Sequence, residues 1–108
     1  MNLFIDSHAH INDPAFDTDR QTLLSQTLPQ AGVIHSVEIG CAPDEWQPAL
    51  ALCDAYPQLV RAVLGVHPEY APQLTPDRLR QLAALLPDKR NKAVGEIGLD
   101  YTCQDISP

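Results

Sequence analysis

Short apolar runs alternate with helix-period segments along the whole chain. Four of these runs are typical of strands, and three segments between them place apolar residues at helical intervals. In chain order the strand-type runs are LFIDS, VIHSVEIG, LVRAVLGVHP and KAVGEIGLD. Strands that alternate with helices in this way form parallel sheets through right-handed βαβ crossovers. The pattern therefore predicts an α/β fold with a parallel sheet of about four βα units.

The predicted helices have recognisable end signals. The segment DTDRQTLLSQTL has Asp17 as a possible N-cap and is followed by the exit PQAG. The segment TPDRLRQLAALLPD has Thr75 as N-cap and Pro76 at the first helical position. The apolar residues expected to face the core from the three helices are Leu23, Leu24 and Leu28, then Trp46, Ala49, Leu50 and Cys53, then Leu79, Leu82, Ala83 and Leu86.

Composition limits the functions open to this chain. It has 108 residues and a net charge of −7, which argues against holding a nucleic acid by phosphate neutralisation alone. A phosphate substrate would therefore need metal ions or a local basic patch. No apolar run reaches the length of a membrane span, and MNLFIDSHAH has no basic region followed by a long apolar stretch, so a cytoplasmic protein without a membrane partner is expected. The three cysteines have no C-x-x-C spacing and are interpreted as small buried hydrophobes.

Polar side chains stand at every second position of the first strand-type run. Residues two apart in a strand point to the same face, so Asp6, His8 and His10 are expected to project together. Imidazole and carboxylate suit zinc, manganese or iron, and a His-x-His pair offers two ligands to one ion without backbone strain. Two ordinary strand-end histidines fit the same pattern, and Asp6 either orients an imidazole or caps a neighbouring loop. The residues alone leave these alternatives open.

Later strands add polar residues at the same end of the predicted sheet, where parallel α/β folds bind ligands. His67 ends the third run, and Glu96 and Asp100 end the fourth. Glu96 stands in an otherwise apolar strand, and a buried carboxylate is costly unless it is paired or binds metal. His67 either contacts substrate or leaves its strand in the extended form that a following proline favours. His35, in the middle of the second run, is interpreted as structural, and Glu38 has no argument beyond its polarity.

Three stretches, taken together, carry a family resemblance. FIDSHAH, LGVHPE and AVGEIGLDY, in this order, resemble the N-terminal part of the TatD family of metal-dependent deoxyribonucleases, which are amidohydrolase-like barrels. The resemblance implies the N-terminal half of a TIM-type (β/α)8 barrel, with residues 1–108 as a single partial TatD-like hydrolase domain. It also implies divalent metal ions (Zn, Mn or Mg, two in a complete member) that activate water to cleave phosphodiester bonds in DNA.

The resemblance also assigns roles to individual residues. His8 and His10 match the paired histidines that bind the first metal, and Glu96 matches the catalytic carboxylate that bridges two metals. His67 matches a histidine that lines the mouth of the site and binds substrate. Two further carboxylates are expected to support the ligands without binding the metal themselves: Asp6 and Asp100.

The chain is short for this family. A complete (β/α)8 barrel takes roughly 250 residues, and in the family the later strands supply two more histidines and a late aspartate. This chain is therefore expected to be weakly active or inactive on DNA or a small phosphoester. Its open sheet edges favour self-association. Two other interpretations remain: a metal-dependent phosphoesterase or amidohydrolase acting on another substrate class, and a non-catalytic truncated product.

Overall fold

A computed structural model describes residues 2–103 of the chain. Four parallel strands form one sheet in the order β1-β2-β3-β4. The strands are β1 (Phe4–Ala9), β2 (Val33–Gly40), β3 (Val60–Leu64) and β4 (Asn91–Val94). The helical elements between them are α1 (Arg20–Thr22), a π-helical stretch (Leu23–Thr27), α2 (Leu28–Gln30), α3 (Trp46–Ala55) and α4 (Pro76–Leu85), with short 3-10 turns at Pro14–Phe16, Pro43–Glu45 and Pro68–Gln73. The parallel βα architecture predicted from the alternating pattern is confirmed.

The core lies between the sheet and helix α3. Trp46, Ala49, Leu50 and Cys53 are buried, as their helical spacing predicts. They pack against buried residues of the neighbouring strand β3, and full burial of a large apolar side chain such as Leu50 contributes about 1.5–3 kcal/mol. Cys41 and Cys53 are free thiols inside this core. Burial raises the pKa of Cys41 to about 12, so it stays a neutral, apolar filler.

The first helical region departs from its prediction. Helix α1 begins at Arg20 with Asp19 at the N-cap position, so the N-cap predicted at Asp17 is wrong. The Asp17 carboxylate is instead paired with Arg20, with 2.8 Å between Oδ1 and Nη2. The helix widens into π-helical turns before Pro29 because proline has no N–H and its ring crowds the carbonyl four residues earlier. Leu24 is nevertheless buried as expected.

Helix α4 has the predicted start but only part of the predicted buried face. Thr75 is its N-cap, and the Thr75 hydroxyl accepts the Arg78 backbone N–H at 3.2 Å. Leu82 is buried, whereas Leu79 is 53% exposed and Ala83 is also exposed, so these two core assignments are wrong. The physical reason is that only the C-terminal half of the helix packs against the core, where Leu85 and Leu86 accompany Leu82.

Strand β4 is shorter than the run KAVGEIGLD predicts. Its ladder ends where the Gly95 N–H donates to the Leu64 carbonyl at 3.0 Å. The two glycines that follow weaken a strand, and Gly98 adopts a φ of 143° that other residues rarely accept. Glu96 therefore lies just beyond the strand rather than inside it, and its side chain keeps 28% of its exposure. The expectation that Glu96 is buried in an apolar strand is wrong.

Both edges of the sheet present apolar side chains to solvent. Within residues 2–103, strand β1 pairs with β2 alone and β4 pairs with β3 alone. The large exposed apolar residues in and beside these two strands are Leu3, Phe4, Ile5, Val94, Ile97 and Leu99. Across the same range, no helix combines the length and the apolar character that crossing a membrane requires.

Candidate metal centre

Two histidines and a glutamate converge at the carboxyl end of the sheet. His8 lies in β1, His10 follows that strand directly, and Glu96 reaches them from the segment after β4. Nε2 of His8 is 2.9 Å from Oε1 of Glu96, and Nε2 of His10 is 3.5 Å from the same oxygen. The two Nε2 atoms are 3.3 Å apart. The residues for which the sequence predicts metal binding are therefore adjacent in space.

The spacing of these donor atoms fits a single divalent ion. All three ligand atoms lie within 4.8 Å of one another. Two ligands placed about 2.0–2.1 Å from a tetrahedral ion stand about 3.3 Å apart, which matches the separation of the imidazole nitrogens. Neutral imidazole and carboxylate are also the donors that zinc and related metals prefer. His8, His10 and Glu96 thus form a group that could hold one metal ion.

Close backbone packing sets the position of Glu96. A β carbon on Gly65, the residue after β3, would stand 2.5 Å from the carbonyl oxygen of Gly95. Only a glycine at position 65 allows the segment after β4 to approach this closely. The Gly65 carbonyl in turn accepts a hydrogen bond from the ring N–H of Trp46 at 2.8 Å. Glu96 is therefore connected to the buried core by two contacts, the Gly95 backbone against Gly65 and the Gly65 carbonyl with the ring of Trp46.

His67 lies on the opposite side of the Glu96 carboxylate. Its Nδ1 accepts the backbone N–H of Glu69 at 3.1 Å, so a neutral His67 ring carries its proton on Nε2. That Nε2 is 3.5 Å from Oε2 of Glu96, the oxygen not used by His8 and His10. The structure thus brings His67 to the site, and its role in substrate binding stays a prediction.

The two carboxylates predicted to support the ligands make local bonds instead. Oδ1 of Asp6 accepts the backbone N–H of His8 at 3.1 Å rather than a ring nitrogen. Asp100 accepts the backbone N–H of Thr102 at 2.9 Å and also the Thr102 hydroxyl. These hydrogen bonds from Thr102 lower the pKa of Asp100. A supporting role for either aspartate in a loaded centre stays a prediction.

Glu38 is a site residue that sequence reasoning missed. The residue is 2% exposed, and its carboxylate accepts the backbone N–H groups of Ile11 and Asn12 at 2.7 and 2.9 Å. Burial raises the pKa of Glu38, although these two hydrogen bonds oppose the shift. The signal was present in the sequence, because the argument made for Glu96, a carboxylate within an apolar strand, applies equally to Glu38. His35, interpreted as structural, is half-buried in β2, and its Nδ1 has no partner among residues 2–103.

The site opens into an acidic pocket. The pocket has a volume of about 530 Å³, and His10, His67 and Glu96 are among its lining residues. Six carboxylate residues line it: Asp13, Glu38, Asp44, Glu45, Glu69 and Glu96. No lysine or arginine of the described part of the chain is among the lining residues. A phosphate group could enter this pocket favourably only together with a cation, because a carboxylate-lined cleft repels anions.

Comparisons with known proteins agree with these features. A family model described as TatD related DNase matches residues 5–108. An uncharacterized metal-dependent hydrolase, YjjV of Escherichia coli (strain K12), is 37% identical over 104 residues, which cover 94% of this chain and 39% of that protein. The deoxyribonuclease TATDN3 of Homo sapiens is 31% identical over 108 residues, which cover 91% of this chain and 38% of that protein.

A solved structure shows the same fold. The crystal structure of an uncharacterized amidohydrolase from Saccharomyces cerevisiae superposes with a TM-score of 0.74 at 21% identity, over 93% of this chain and 38% of that one. This chain therefore spans about two fifths of the length of the relatives it matches. The prediction that the chain forms the N-terminal part of a TIM-type barrel is confirmed. Because the family model matches nearly every residue, the chain belongs to the TatD related DNase family.

Proposed function

We propose that residues 1–108 form part of a metal-dependent hydrolase domain that cleaves phosphodiester bonds in DNA, with His8, His10 and Glu96 as metal ligands. The observation that carries this proposal is the convergence of three donors, two of which line a pocket that has no lysine or arginine among its described lining residues. The substrate class is supported by the name of the human relative, a deoxyribonuclease. A small phosphoester presents the same phosphate chemistry. The cytoplasmic location expected from the sequence stays a prediction.

The two oxygens of Glu96 support its role as a bridging ligand. Oε1 faces His8 and His10, whereas Oε2 faces His67. His8 and His10 would hold a first ion together with Glu96, and Glu96 would also contribute to holding a second ion. Zinc, manganese or magnesium would supply Lewis acidity, a lowered pKa for water and neutralising charge beside the phosphate. His67 lines the pocket, and its Nε2–H would donate a hydrogen bond to a phosphate oxygen bound there.

Chelation provides the direct test of this activity. We expect hydrolysis of single-stranded DNA and of bis(p-nitrophenyl) phosphate to stop after treatment with EDTA and to return when zinc, manganese or magnesium is added. Since the family resemblance implies further metal ligands on the later strands of a complete barrel, we expect a low rate from residues 1–108 alone, even with metal. The matched control is Tyr101→Phe, which changes an exposed side chain and leaves every proposed ligand in place. Hydrolysis that persists without metal contradicts the proposal, and metal binding without hydrolysis favours a non-catalytic product.

We also propose that the isolated 108-residue chain self-associates through its open sheet edges. Ile5 in β1 is 61% exposed, and unpaired parallel edges with apolar neighbours recruit further strands. A second copy has two such edges of its own, so two chains could close into an eight-stranded pseudo-barrel. Light scattering is expected to show a mass at least twice that of the monomer.

A substitution in an edge strand distinguishes association through the sheet edges from non-specific association of exposed apolar side chains. Ile5→Lys adds a charge beside the β1 edge and is expected to shift the population toward monomer. Leu79→Lys is the matched control, because Leu79 is also apolar and 53% exposed but lies on helix α4. A stable monomer for the unmodified chain, or equal effects of the two substitutions, contradicts association through the sheet edges.

A further inference from the structure

A buried carboxylate fastens the loop that follows the ligand His10. Oε2 of Glu38 accepts the N–H of Ile11 at 2.7 Å, and its Oε1 accepts the N–H of Asn12 at 2.9 Å. Hydrogen bonds to an ionised acceptor are roughly twice as strong as neutral ones. Glu38 is itself only 2% exposed, and its register partner on β3 is the buried Ala62. The carboxylate therefore has little freedom to move, and the two N–H groups are held to a fixed point in the core.

Strand pairing does not reach this loop. The last registered pair between β1 and β2 joins Ala9 to Glu38, and the register is already irregular between Asp6 and Ala9. Beyond Ala9, the chain that carries His10 leaves the ladder. The two hydrogen bonds to Glu38 thus hold the segment that immediately follows the last ladder pair.

A second side chain holds the same loop from the other side. Nε of Arg20 donates to the Ile11 carbonyl at 2.7 Å, and its Nη2 donates to the Asp13 carbonyl at 2.9 Å. The N–H groups of Ile11 and Asn12 are therefore bound by Glu38, and the C=O of Ile11 is bound by Arg20. The carboxylate of Glu38 thus faces backbone donors of the loop, and the guanidinium of Arg20 faces backbone acceptors of the same loop.

We propose that Glu38 is a positioning residue for the metal centre, acting through the backbone of Ile11 and Asn12 on the imidazole of His10. This inference rests on the proposed metal-binding role of His8, His10 and Glu96. Nε2 of His10 is 3.5 Å from Glu96 and 3.3 Å from Nε2 of His8, so a displacement of the loop by a few tenths of an ångström changes the ligand geometry. Groups that orient a ligand without touching the ion typically change metal affinity 10- to about 100-fold.

The test substitution is Glu38→Gln, which keeps the size and shape of the side chain but replaces one acceptor oxygen by an NH2 group. One of the two backbone N–H groups then loses its acceptor. The matched control is Ser36→Ala on the same face of β2, two residues earlier. Ser36 is fully buried, and its hydroxyl has no partner within residues 2–103, so its removal leaves the His10 loop unaffected.

Cobalt(II) is the probe, because its visible absorption reports ligand geometry as well as occupancy. We expect Glu38→Gln to weaken cobalt binding about 10- to 100-fold and to change the absorption spectrum of the bound ion. Ser36→Ala should bind cobalt as the unmodified chain does, with the same spectrum. An unchanged affinity and spectrum in Glu38→Gln overturns the inference, whereas a purely structural role predicts a lower unfolding temperature with no spectral change.

Two metal-free NMR measurements keep the inference testable if cobalt binds to none of the chains or if Glu38→Gln does not fold. In the unmodified chain, the Ile11 and Asn12 amides should exchange slowly with solvent although they lie outside the strand ladder. Fast exchange would contradict their hydrogen bonds to Glu38. In folded Glu38→Gln, the ring resonances of His10 should shift more than those of His8. Absence of cobalt binding to the unmodified chain removes the proposed metal centre, whereas equal shifts at the two rings remove the role of Glu38.

Discussion

Replacing His8 and His10 together by alanine is expected to abolish saturable binding of zinc and manganese. The double variant leaves Glu96 as the remaining member of the group of three donors that the structure brings together. We expect the affinity to fall at least about 100-fold, which corresponds to about 2.8 kcal/mol. Calorimetric titration of the purified chain measures this loss directly. Both histidines are exposed, so the substitutions should change the free energy of unfolding by no more than about 0.5 kcal/mol.

A histidine outside the site gives the control for this titration. His35→Ala removes an imidazole from β2, away from the carboxyl end of the sheet, and should leave the affinity for zinc unchanged. Far-UV circular dichroism of each variant checks that the fold persists. Equal affinities for the double variant and the unmodified chain would show that the ion binds elsewhere, and the assignment of His8 and His10 as ligands would then be wrong.

The alternating pattern predicted the sheet well because strand formation here follows a strong local signal. The run VIHSVEIG corresponds residue for residue to β2, since its β-branched side chains and its flanking glycines mark both ends. The start of α4 was equally clear, because Thr75 and Pro76 act through bonds made within one turn. Local chemistry of this kind can be read without knowing the rest of the fold.

The errors arise where distant segments decide the outcome. Asp17 is of a residue type that often caps helices, but α1 begins only at Arg20, whose guanidinium donates to backbone carbonyls of the loop seven and nine residues earlier. Leu79 has the spacing of a core residue and is exposed because α4 meets the core only through its C-terminal half. Sequence periodicity tells which residues share a helix face but not how much of that face is covered.

In the candidate site as well, some residues could be predicted from the sequence and others could not. Parallel topology alone places His8, His10, His67 and Glu96 at one end of the sheet, and the structure brings them within 3.5 Å of their neighbours. The position of Glu38 in an apolar strand marks it as a candidate, but its partners are the backbone N–H groups of a loop 26 and 27 residues away, which no sequence pattern displays. Side chains that act through backbone contacts are the hardest to predict from sequence.

Removing the single tryptophan is expected to have the largest effect on stability. Trp46 is 2% exposed at the start of α3, and substitution of such a residue by alanine costs about 3–5 kcal/mol. The loss also leaves the Gly65 carbonyl without its hydrogen bond, which adds about 1–3 kcal/mol. Since small domains are stable by only about 5–15 kcal/mol, Trp46→Ala should be largely unfolded at 37 °C. Urea unfolding must be followed by circular dichroism, because the variant has no tryptophan fluorescence.

Trp46→Phe separates the ring from its hydrogen bond. The phenyl ring fills most of the cavity, so the expected loss is that of the N–H bond to Gly65, about 1–3 kcal/mol. Tyr101→Ala is the control, because Tyr101 is an aromatic residue with 83% exposure and its removal should change the free energy of unfolding by less than about 0.5 kcal/mol. If Trp46→Ala were no less stable than Tyr101→Ala, helix α3 would not anchor the core as the structure shows.

Trp46→Phe also tests whether the buried core helps to position the metal ligand Glu96. The Trp46 ring holds the Gly65 carbonyl, and Gly65 lies against the Gly95 backbone that immediately precedes Glu96. Trp46→Phe is therefore expected to weaken zinc binding by a few-fold at a temperature where the variant is fully folded. Tyr101→Ala should not change zinc affinity, because Tyr101 contributes no ligand and is mostly in solvent. A folded Trp46→Phe variant with unchanged zinc affinity would mean that Glu96 keeps its position without this contact, and that strand β4 alone orients the ligand.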